Sequence, residues 1–213
     1  TKDIQGKTQK GKPTFEGGKA TVDGVEKTVE IDEDTPATFE DGSTTKTIPG
    51  EGTYTVAPDG TVTFVPEKTF TGEGTGVTVK RVDKNGTEVT AKYTPTVKPV
   101  TPTADGVTTT DVQGATQKGK PEFEAGKTTV NGVEKTVAID ETKPAKLIDP
   151  TTGQEVTSVT IPNEGTYTVD ADGTVHFTPE KGFVGKGTEL TVKRVDLNGT
   201  PALGKYTAVV IGT

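Results

Sequence analysis

The chain contains two copies of one sequence unit. Gly114–Ile139 repeats Gly6–Ile31 at a spacing of 108 residues, and from Ile48 to Tyr93 the spacing to the second copy is 113 residues. Self-similarity over this length indicates two copies of one folding unit. We interpret the duplication as a means to gain length or valency, because copying a catalytic site rarely changes the chemistry that a protein can perform.

The composition suits two domains and excludes several kinds of site. A chain of 213 residues is long enough for two domains of ordinary size. Without cysteine it can form no disulfide, thiolate metal site or thiol nucleophile. The net charge is -7 and no basic stripe is present, so we expect no nucleic-acid partner.

Hydrophobic residues make up only 28% of the chain, which predicts thin cores of modest stability. All four leucines lie in the second copy, so the second domain is expected to be the more stable one. No apolar run approaches the roughly 20 residues of a membrane helix, and no signal peptide opens the chain. We therefore expect an excerpt of a longer protein, with no membrane contact of its own.

Alternating apolar and threonine residues predict β-hairpins. In Gly52–Val65 the turn at 57–60 separates two alternating runs, and the second copy repeats the pattern. The apolar faces of these hairpins are predicted to carry the core, through Tyr54, Val56, Val62 and Phe64 in the first copy and Tyr167, Val169, Val175 and Phe177 in the second.

A second hairpin closes each copy. Val77–Val82 and Glu88–Val97 flank Asn85-Gly86, and Asn-Gly is a strong turn signal because both residues tolerate positive φ. Leu190–Val195 and Ala202–Val210 form the equivalent pair. Shorter strands are expected near Asp3–Gln5, Thr14–Phe15, Ala20–Val22, Glu26–Ile31 and Thr45–Ile48. About seven short strands in each copy predict an all-β protein with two tandem immunoglobulin-like β-sandwich domains in an elongated arrangement.

Composition also predicts the domain limits. Prolines 95, 99 and 102 lie within Lys92–Asp105, and such a segment favours an extended polyproline conformation that acts as a semi-rigid spacer. We predict one β-sandwich repeat at 1–97, a Pro/Thr-rich linker at 98–108 and a second repeat at 109–213. The copies differ most between Asp34–Thr47 and Thr142–Thr160, which we interpret as a surface loop.

The sequence gives little support for nucleophilic catalysis or phosphate binding. His176 is the only histidine and falls in the outward phase of a hairpin, so we interpret it as an exposed strand residue. Ser43 and Ser158 lack partners for a nucleophile–base arrangement, because the chain has no cysteine and no second histidine. Gly6–Lys12 has the spacing of a phosphate loop, but Pro13 stands where a magnesium-binding hydroxyl is required and no helix follows.

The sequence also bears on metal binding and on a covalent cross-link. The acidic residues within Asp32–Asp41 could bind Ca²⁺ weakly, but the second copy loses most of these oxygens, so a solvated loop is preferred. A Lys–Asn isopeptide cross-link is disfavoured because Asn85, the only asparagine of the first copy, belongs to a turn. A Lys–Asp cross-link is less excluded, and intact mass would detect it. We expect no catalytic, cofactor or metal site.

The order of these motifs resembles the CshA-type fibril repeat of Gram-positive surface adhesins. The resemblance rests on Gln9–Gly18, Ile48–Val56, Asp59–Pro66, Phe70–Gly72, Asp149–Gly153 and Phe177–Gly185. It implies tandem repeats that form a fibril anchored to the bacterial cell wall, with ligand-binding regions displayed at its outer end. At the level of the whole protein it implies adhesion to host matrix, coaggregation and biofilm formation.

The preferred interpretation is that the chain is part of a structural stalk, and that its partners are the neighbouring repeats of the same chain. We expect a monomer that is not an enzyme. The alternative is a module in which the repeat itself binds host glycoprotein or carbohydrate. Sugar sites usually need exposed aromatic platforms, and this chain has no tryptophan and places its tyrosines and phenylalanines in core phases.

Overall fold

The computed structural model describes residues 1–213 as an all-β protein of 26 strands. Two compact units divide the chain, namely Thr1–Pro99 with Thr129–Val133, and Val100–Thr128 with Glu134–Thr213. No helix long and apolar enough to cross a membrane occurs. The prediction of an all-β chain with two immunoglobulin-like sandwich units in tandem is therefore confirmed.

The strands of the first unit are short. They are β1 (Lys2–Ile4), β2 (Gln9–Gly11), β3 (Gly18–Val22), β4 (Val25–Val29), β5 (Thr38–Phe39), β6 (Thr45–Ile48), β7 (Gly52–Val56), β8 (Val62–Pro66), β9 (Gly72–Glu73), β10 (Val77–Val82), β11 (Glu88–Tyr93) and β12 (Thr96–Lys98).

The later part of the chain repeats this order with longer outer strands. They are β13 (Thr103–Asp105), β14 (Val107–Val112), β15 (Gln117–Gly119), β16 (Glu122–Glu124), β17 (Gly126–Val130), β18 (Val133–Val137), β19 (Lys146–Ile148), β20 (Glu155–Val156), β21 (Ser158–Ile161), β22 (Gly165–Val169), β23 (Val175–Pro179), β24 (Gly185–Lys186), β25 (Leu190–Val195) and β26 (Pro201–Ile211).

In the first unit a four-stranded sheet of order β2-β8-β7-β6 faces strands of two smaller sheets, β11-β10-β5 and β1-β12-β9. The core between them contains Tyr54 and Phe64 from one layer and Val79 and Tyr93 from the other, all at most 5% exposed. Tyr54 and Tyr93 meet edge to face across the layers, with ring centroids 6.4 Å apart. Burying one face of each sheet in this way defines a sandwich.

The predicted hairpins are confirmed. β7 pairs with β8 so that Tyr54 lies opposite Phe64, and the alternation places every second residue of both strands in the core. β10 pairs with β11 around Gly86, which adopts φ 80°, whereas Asn85 does not adopt a positive φ. The predicted core residues of the first copy are all buried, as are their second-copy equivalents except the partly buried Val169.

The second unit has the same plan, and one of its two sheets is larger than its equivalent in the first unit. One sheet has the order β15-β23-β22-β21, and the other has the order β14-β26-β25-β19-β20 with β24 also pairing with β26. Leu147 and Leu190 are fully buried between them, whereas Leu197 and Leu203 are about half exposed. Only two of the four leucines therefore support the expected extra stability of this unit, which stays a prediction.

Some short elements differ from expectation. Thr14–Phe15, predicted as a strand, has no strand pairing, and the chain instead pairs through β2, which ends just before Lys12 and Pro13. A proline has no N–H to donate to a ladder, so pairing stops there. The expected strand Glu88–Val97 is divided into β11 and β12 around Pro95 for the same reason.

The segment predicted as a spacer contains paired strands. Residues 98–108 include Lys98 of β12, all of β13 and the first residues of β14, and β13 pairs antiparallel with β16. A polyproline conformation is therefore wrong for Thr103–Asp105, because this stretch follows the last proline and its free N–H groups can join a ladder. The domain limits at 97 and 109 stay a prediction.

Candidate functional site: the terminal strands and their buried polar contacts

In each unit a group of residues with a buried glutamine and a buried tyrosine joins the first and last strands. We call it the terminal-strand cluster, and in the second unit it consists of Thr109, Gln117, Gly119 and Tyr206. Thr109 Oγ1 donates to Gln117 Oε1 at 2.6 Å. That commits its single proton, so the Tyr206 hydroxyl, 2.6 Å away, donates to Thr109 Oγ1. Gln117 Nε2 donates to the carbonyl of Val209 at 3.0 Å. Strands β14, β15 and β26 are thereby tied together.

The first unit has the same arrangement. Thr1 Oγ1 donates to Gln9 Oε1 at 2.6 Å and lies 2.5 Å from the Tyr93 hydroxyl, while Gln9 Nε2 donates to the carbonyl of Thr96 at 2.9 Å. Burial raises the pKa of Tyr93 and of Tyr206. Both phenols therefore remain protonated and available as donors.

A glycine allows each tyrosine ring to approach the neighbouring strand. A Cβ at Gly119 would lie 2.9 Å from Tyr206 Cε1, and one at Gly11 would lie 2.7 Å from Tyr93 Cε1. Real Cβ atoms essentially never come so close to another heavy atom, so a side chain here would displace the tyrosine. The glycine is thus part of the cluster even though it forms none of its side-chain hydrogen bonds.

A second buried network holds a carboxylate. Tyr54 donates from its hydroxyl to Glu51 Oε2 at 2.5 Å and accepts from the N–H of Gly76 at 3.2 Å. Thr75 donates to Glu51 Oε1 from its N–H at 2.9 Å and from its hydroxyl at 2.7 Å. Burial works to raise the pKa of Glu51, but these hydrogen bonds outweigh it and hold the pKa below its ordinary value. Tyr54 itself has a raised pKa, chiefly from burial.

A similar network occurs in the second unit. Tyr167 donates to Glu164 Oε2 at 2.6 Å, and Thr188 donates to both carboxylate oxygens of Glu164. Because the network appears in both copies and each acceptor is filled by a protein donor, we interpret it as a structural tie between the two layers of each sandwich.

The Glu51 network predicts acid sensitivity of the first unit. A carboxyl whose pKa is lowered by folding contributes stability above its unfolded pKa of about 4.3, and this is lost as pH falls through the folded pKa. We expect the melting temperature of the first unit to fall on acidification below about pH 5, and Glu51→Gln to reduce that dependence while lowering stability at pH 7. Thermal melts followed by NMR would measure it.

The exposed Glu26 provides the control. Glu26→Gln is expected to keep the wild-type dependence of melting temperature on pH. Equal pH dependence in wild type and Glu51→Gln would refute the role of the Glu51 carboxylate.

An arginine is buried in each unit beside an open groove. Arg194 donates to Glu141 Oε2 at 3.0 Å and to the carbonyl of Asp172 at 3.3 Å, and its guanidinium lies 5.9 Å from the ring centre of Phe123. The side chain of Arg194 is 6% exposed, whereas that of Glu141 is 77% exposed. The groove that they line has a volume of about 580 Å³. Arg81 and Glu33 form the equivalent pair at 3.1 Å.

The structure does not group the candidate catalytic residues into a site. His176 lies on β23 with its side chain 44% exposed, and its Nε2 is 2.8 Å from Asp170 Oδ2. Ser43 bonds to its own loop neighbour Asp41. The glycine-rich segment Gly6–Lys12 leads into β2 rather than into a helix, so it has no helix N-terminus to hold a phosphate.

The acidic loop uses its oxygens internally. Asp32 accepts from the N–H of Asp34 and the hydroxyl of Thr35, while Glu33 pairs with Arg81. No group of three or more histidine, cysteine, aspartate or glutamate residues is arranged to hold a metal ion. Weak metal binding in this loop stays untested.

The structure also shows where the residues that could form an isopeptide cross-link lie. Asn85 lies in the β10–β11 turn, where its N–H donates to Asp83 Oδ1 at 2.9 Å. Two Lys–Asp contacts, Lys12–Asp59 at 3.9 Å and Lys120–Asp172 at 3.7 Å, have side chains that are about half exposed. Neither pair is packed in the core, which is where such a cross-link would need them. Intact mass remains the direct test.

These features define a class of protein, namely tandem all-β repeats whose buried polar residues form hydrogen bonds within their own repeat. The family model "Surface adhesin CshA repetitive domain" matches residues 1–97 and 99–210. The chain therefore belongs to the CshA repeat family, and the resemblance predicted from the sequence is confirmed. No curated protein matches the chain.

Solved structures also match. Repeat domain 13 of the fibrillar adhesin CshA from Streptococcus gordonii is 69% identical over 32% of this chain and 86% of that domain, with a TM-score of 0.20. The I9-I11 tandem of titin is 12% identical over all of this chain and 63% of its own length, with a TM-score of 0.33. Drosophila N-cadherin EC1-4 is 11% identical over 94% of this chain and 46% of its own, with a TM-score of 0.29. The family assignment rests on the family model.

Proposed function

We propose that this chain is a section of the stalk of a bacterial cell-surface adhesin. In this proposal the repeats extend a fibril from the cell wall and project a distal ligand-binding region of the parent protein, which then serves host adhesion, coaggregation and biofilm formation. The partners of each repeat are its neighbours in the same chain, and the fragment is a monomer without enzymatic activity. Membership of a surface-adhesin repeat family supports this role.

The observation that carries the proposal is the direction of the first and last strands of each unit. β1 pairs parallel with β12, and β14 pairs parallel with β26. A chain that enters and leaves a module in the same direction can continue into the next module without reversing. Units of this topology are therefore suited to stacking in series, which is what a stalk requires.

Small-angle X-ray scattering of the 213-residue chain tests this proposal. The 11 residues of β26 correspond to about 35 Å. Two such units in series have an expected radius of gyration of about 23 Å, against about 17 Å for a compact chain of this length. The forward scattering should give the mass of a monomer. A radius near the compact value would contradict the stalk.

The alternative function, direct binding of host glycoprotein or carbohydrate, is tested by binding assays. We expect no saturable binding of this chain to matrix proteins or glycan arrays. Saturable binding that is lost on Phe123→Ala, in the open groove beside Arg194, would favour the binding module over a stalk alone.

A further inference from the structure

We propose that the parallel pairing of β14 with β26, together with the terminal-strand cluster, is the element of the second unit that resists tension along the chain. For its biological purpose this inference rests on the proposed stalk function, since only a tethered stalk is pulled from its ends. The mechanical claim itself concerns one unit and is tested by force alone.

The pairing has the geometry of a shear contact. Six residue pairs join the strands, from Val107 opposite Tyr206 to Val112 opposite Ile211. Tension pulls β14 backward from its first residue and β26 forward from its last, so the two strands must slide past each other. All bonds of a parallel ladder are then strained together, whereas a pair pulled apart from one end loses its bonds one at a time.

The contact continues beyond the ladder. The N–H of Gln113 donates to the carbonyl of Ile211 at 2.9 Å, and its side-chain amide donates to the carbonyl of Lys181, also at 2.9 Å. On the other edge of β26, β24 pairs Gly185 with Val210. The end of the last strand is thus held from both sides, which favours sliding of β14 as the first event under load.

The terminal-strand cluster adds resistance at the third residue of β14. Thr109 bonds to Tyr206 on the strand it would slide along and to Gln117 on the facing sheet. Tyr206 is fully buried and Gln117 is 6% exposed, so water cannot readily replace these bonds as they begin to break. Sliding β14 by one residue would separate all of these partners at once.

Single-molecule force spectroscopy of the full chain, pulled from both termini, tests the proposal with Thr109→Val. This change keeps the side-chain shape and removes the hydroxyl. Losing the two hydrogen bonds of this hydroxyl should raise the unfolding rate at fixed force by roughly tenfold or more for one of the two unfolding events. The other event should be unchanged, because Thr1 supplies the equivalent hydroxyl of the first unit.

Thr188→Val is the matched control. It removes a threonine hydroxyl that bonds Glu164 in the same unit and takes no part in the pairing of β14 with β26. We expect a similar loss of equilibrium stability in urea but less than about a threefold change in unfolding rate under force. Equal rate changes in Thr109→Val and Thr188→Val would overturn the proposal.

A change of pulling direction gives a second test, which does not require a variant that lacks a hydrogen bond. Lys205→Cys introduces the only cysteine of the chain at an exposed position next to Tyr206. Force applied between this residue and the N-terminus peels β14 from β26, and the unfolding force should fall at least twofold. An equal or higher force in this geometry would refute the shear contact. Neither result depends on the scattering experiment. A compact radius of gyration in that experiment would contradict the stalk function but not the shear contact.

Discussion

Replacing Phe177 with alanine is expected to lower the free energy of unfolding of the second unit by about 3–5 kcal/mol. Phe177 is fully buried on β23, stacks on Tyr167 at 4.3 Å between ring centroids and meets Phe183 edge to face at 6.4 Å. Truncation would leave a cavity that this thin core cannot fill by rearrangement. Hydrogen–deuterium exchange of the intact chain, resolved by copy, would measure the loss.

Two variants serve as controls for Phe177→Ala. His176→Ala changes the neighbouring residue on the exposed side of the same strand, where only a half-exposed contact to Asp170 is lost, and should cost less than about 1 kcal/mol. Phe64→Ala makes the equivalent change in the other copy and should destabilise the first unit. Equal exchange in Phe177→Ala and His176→Ala would contradict the assigned core.

Gly165→Ala is expected to destabilise the second unit by about 3 kcal/mol, through backbone strain and overpacking acting together. Gly165 has φ 152°, a region that residues with a side chain rarely adopt. A Cβ there would also lie 2.3 Å from the carbonyl oxygen of Thr178 and 2.7 Å from Phe177 Cε1. The backbone oxygen cannot move without breaking the β22–β23 pairing. Urea denaturation followed by exchange or NMR would measure the loss.

Gly182→Ala is the matched control within the same unit. A Cβ at Gly182 would meet no atom within 4 Å, and its φ is not in the positive region. We expect this variant to unfold within about 0.5 kcal/mol of wild type. Comparable destabilisation by the two alanines would mean that glycine flexibility, rather than the close approach at Gly165, governs the effect.

Sequence reasoning succeeded where a local pattern decides the structure. Alternation around the turn at 57–60 predicted β7 and β8, and Asn85-Gly86 predicted the turn between β10 and β11. It missed β2. It predicted strands near Ala20–Val22 and Glu26–Ile31, where β3 and β4 lie, but not the turn that joins them into a hairpin, in which Asp23 and Gly24 adopt φ 52° and 78°. Asp-Gly is itself a hairpin signal, so the sequence did contain the information for that element.

The buried polar contacts were not predictable in the same way. Thr109 and Tyr206 are 97 residues apart in the chain, and nothing local marks either of them as a partner for Gln117. One signal was available: Thr1, Gln9 and Tyr93 recur in the second copy at the spacings of the repeat. The chain is rich in threonine, so a polar residue that occurs at the same place in both copies is a candidate for a hydrogen bond inside each unit.

The sequence by itself determined that the chain is two copies of one β unit, where the main hairpins turn, and which hairpin residues face a core. These properties follow from periodicity and turn chemistry, which act over a few residues. Only the tertiary structure decided that the first and last strands of each unit run parallel, and that a threonine, a glutamine and a tyrosine meet between them. Such contacts depend on how whole sheets pack, because they join residues whose separation along the chain carries no local preference.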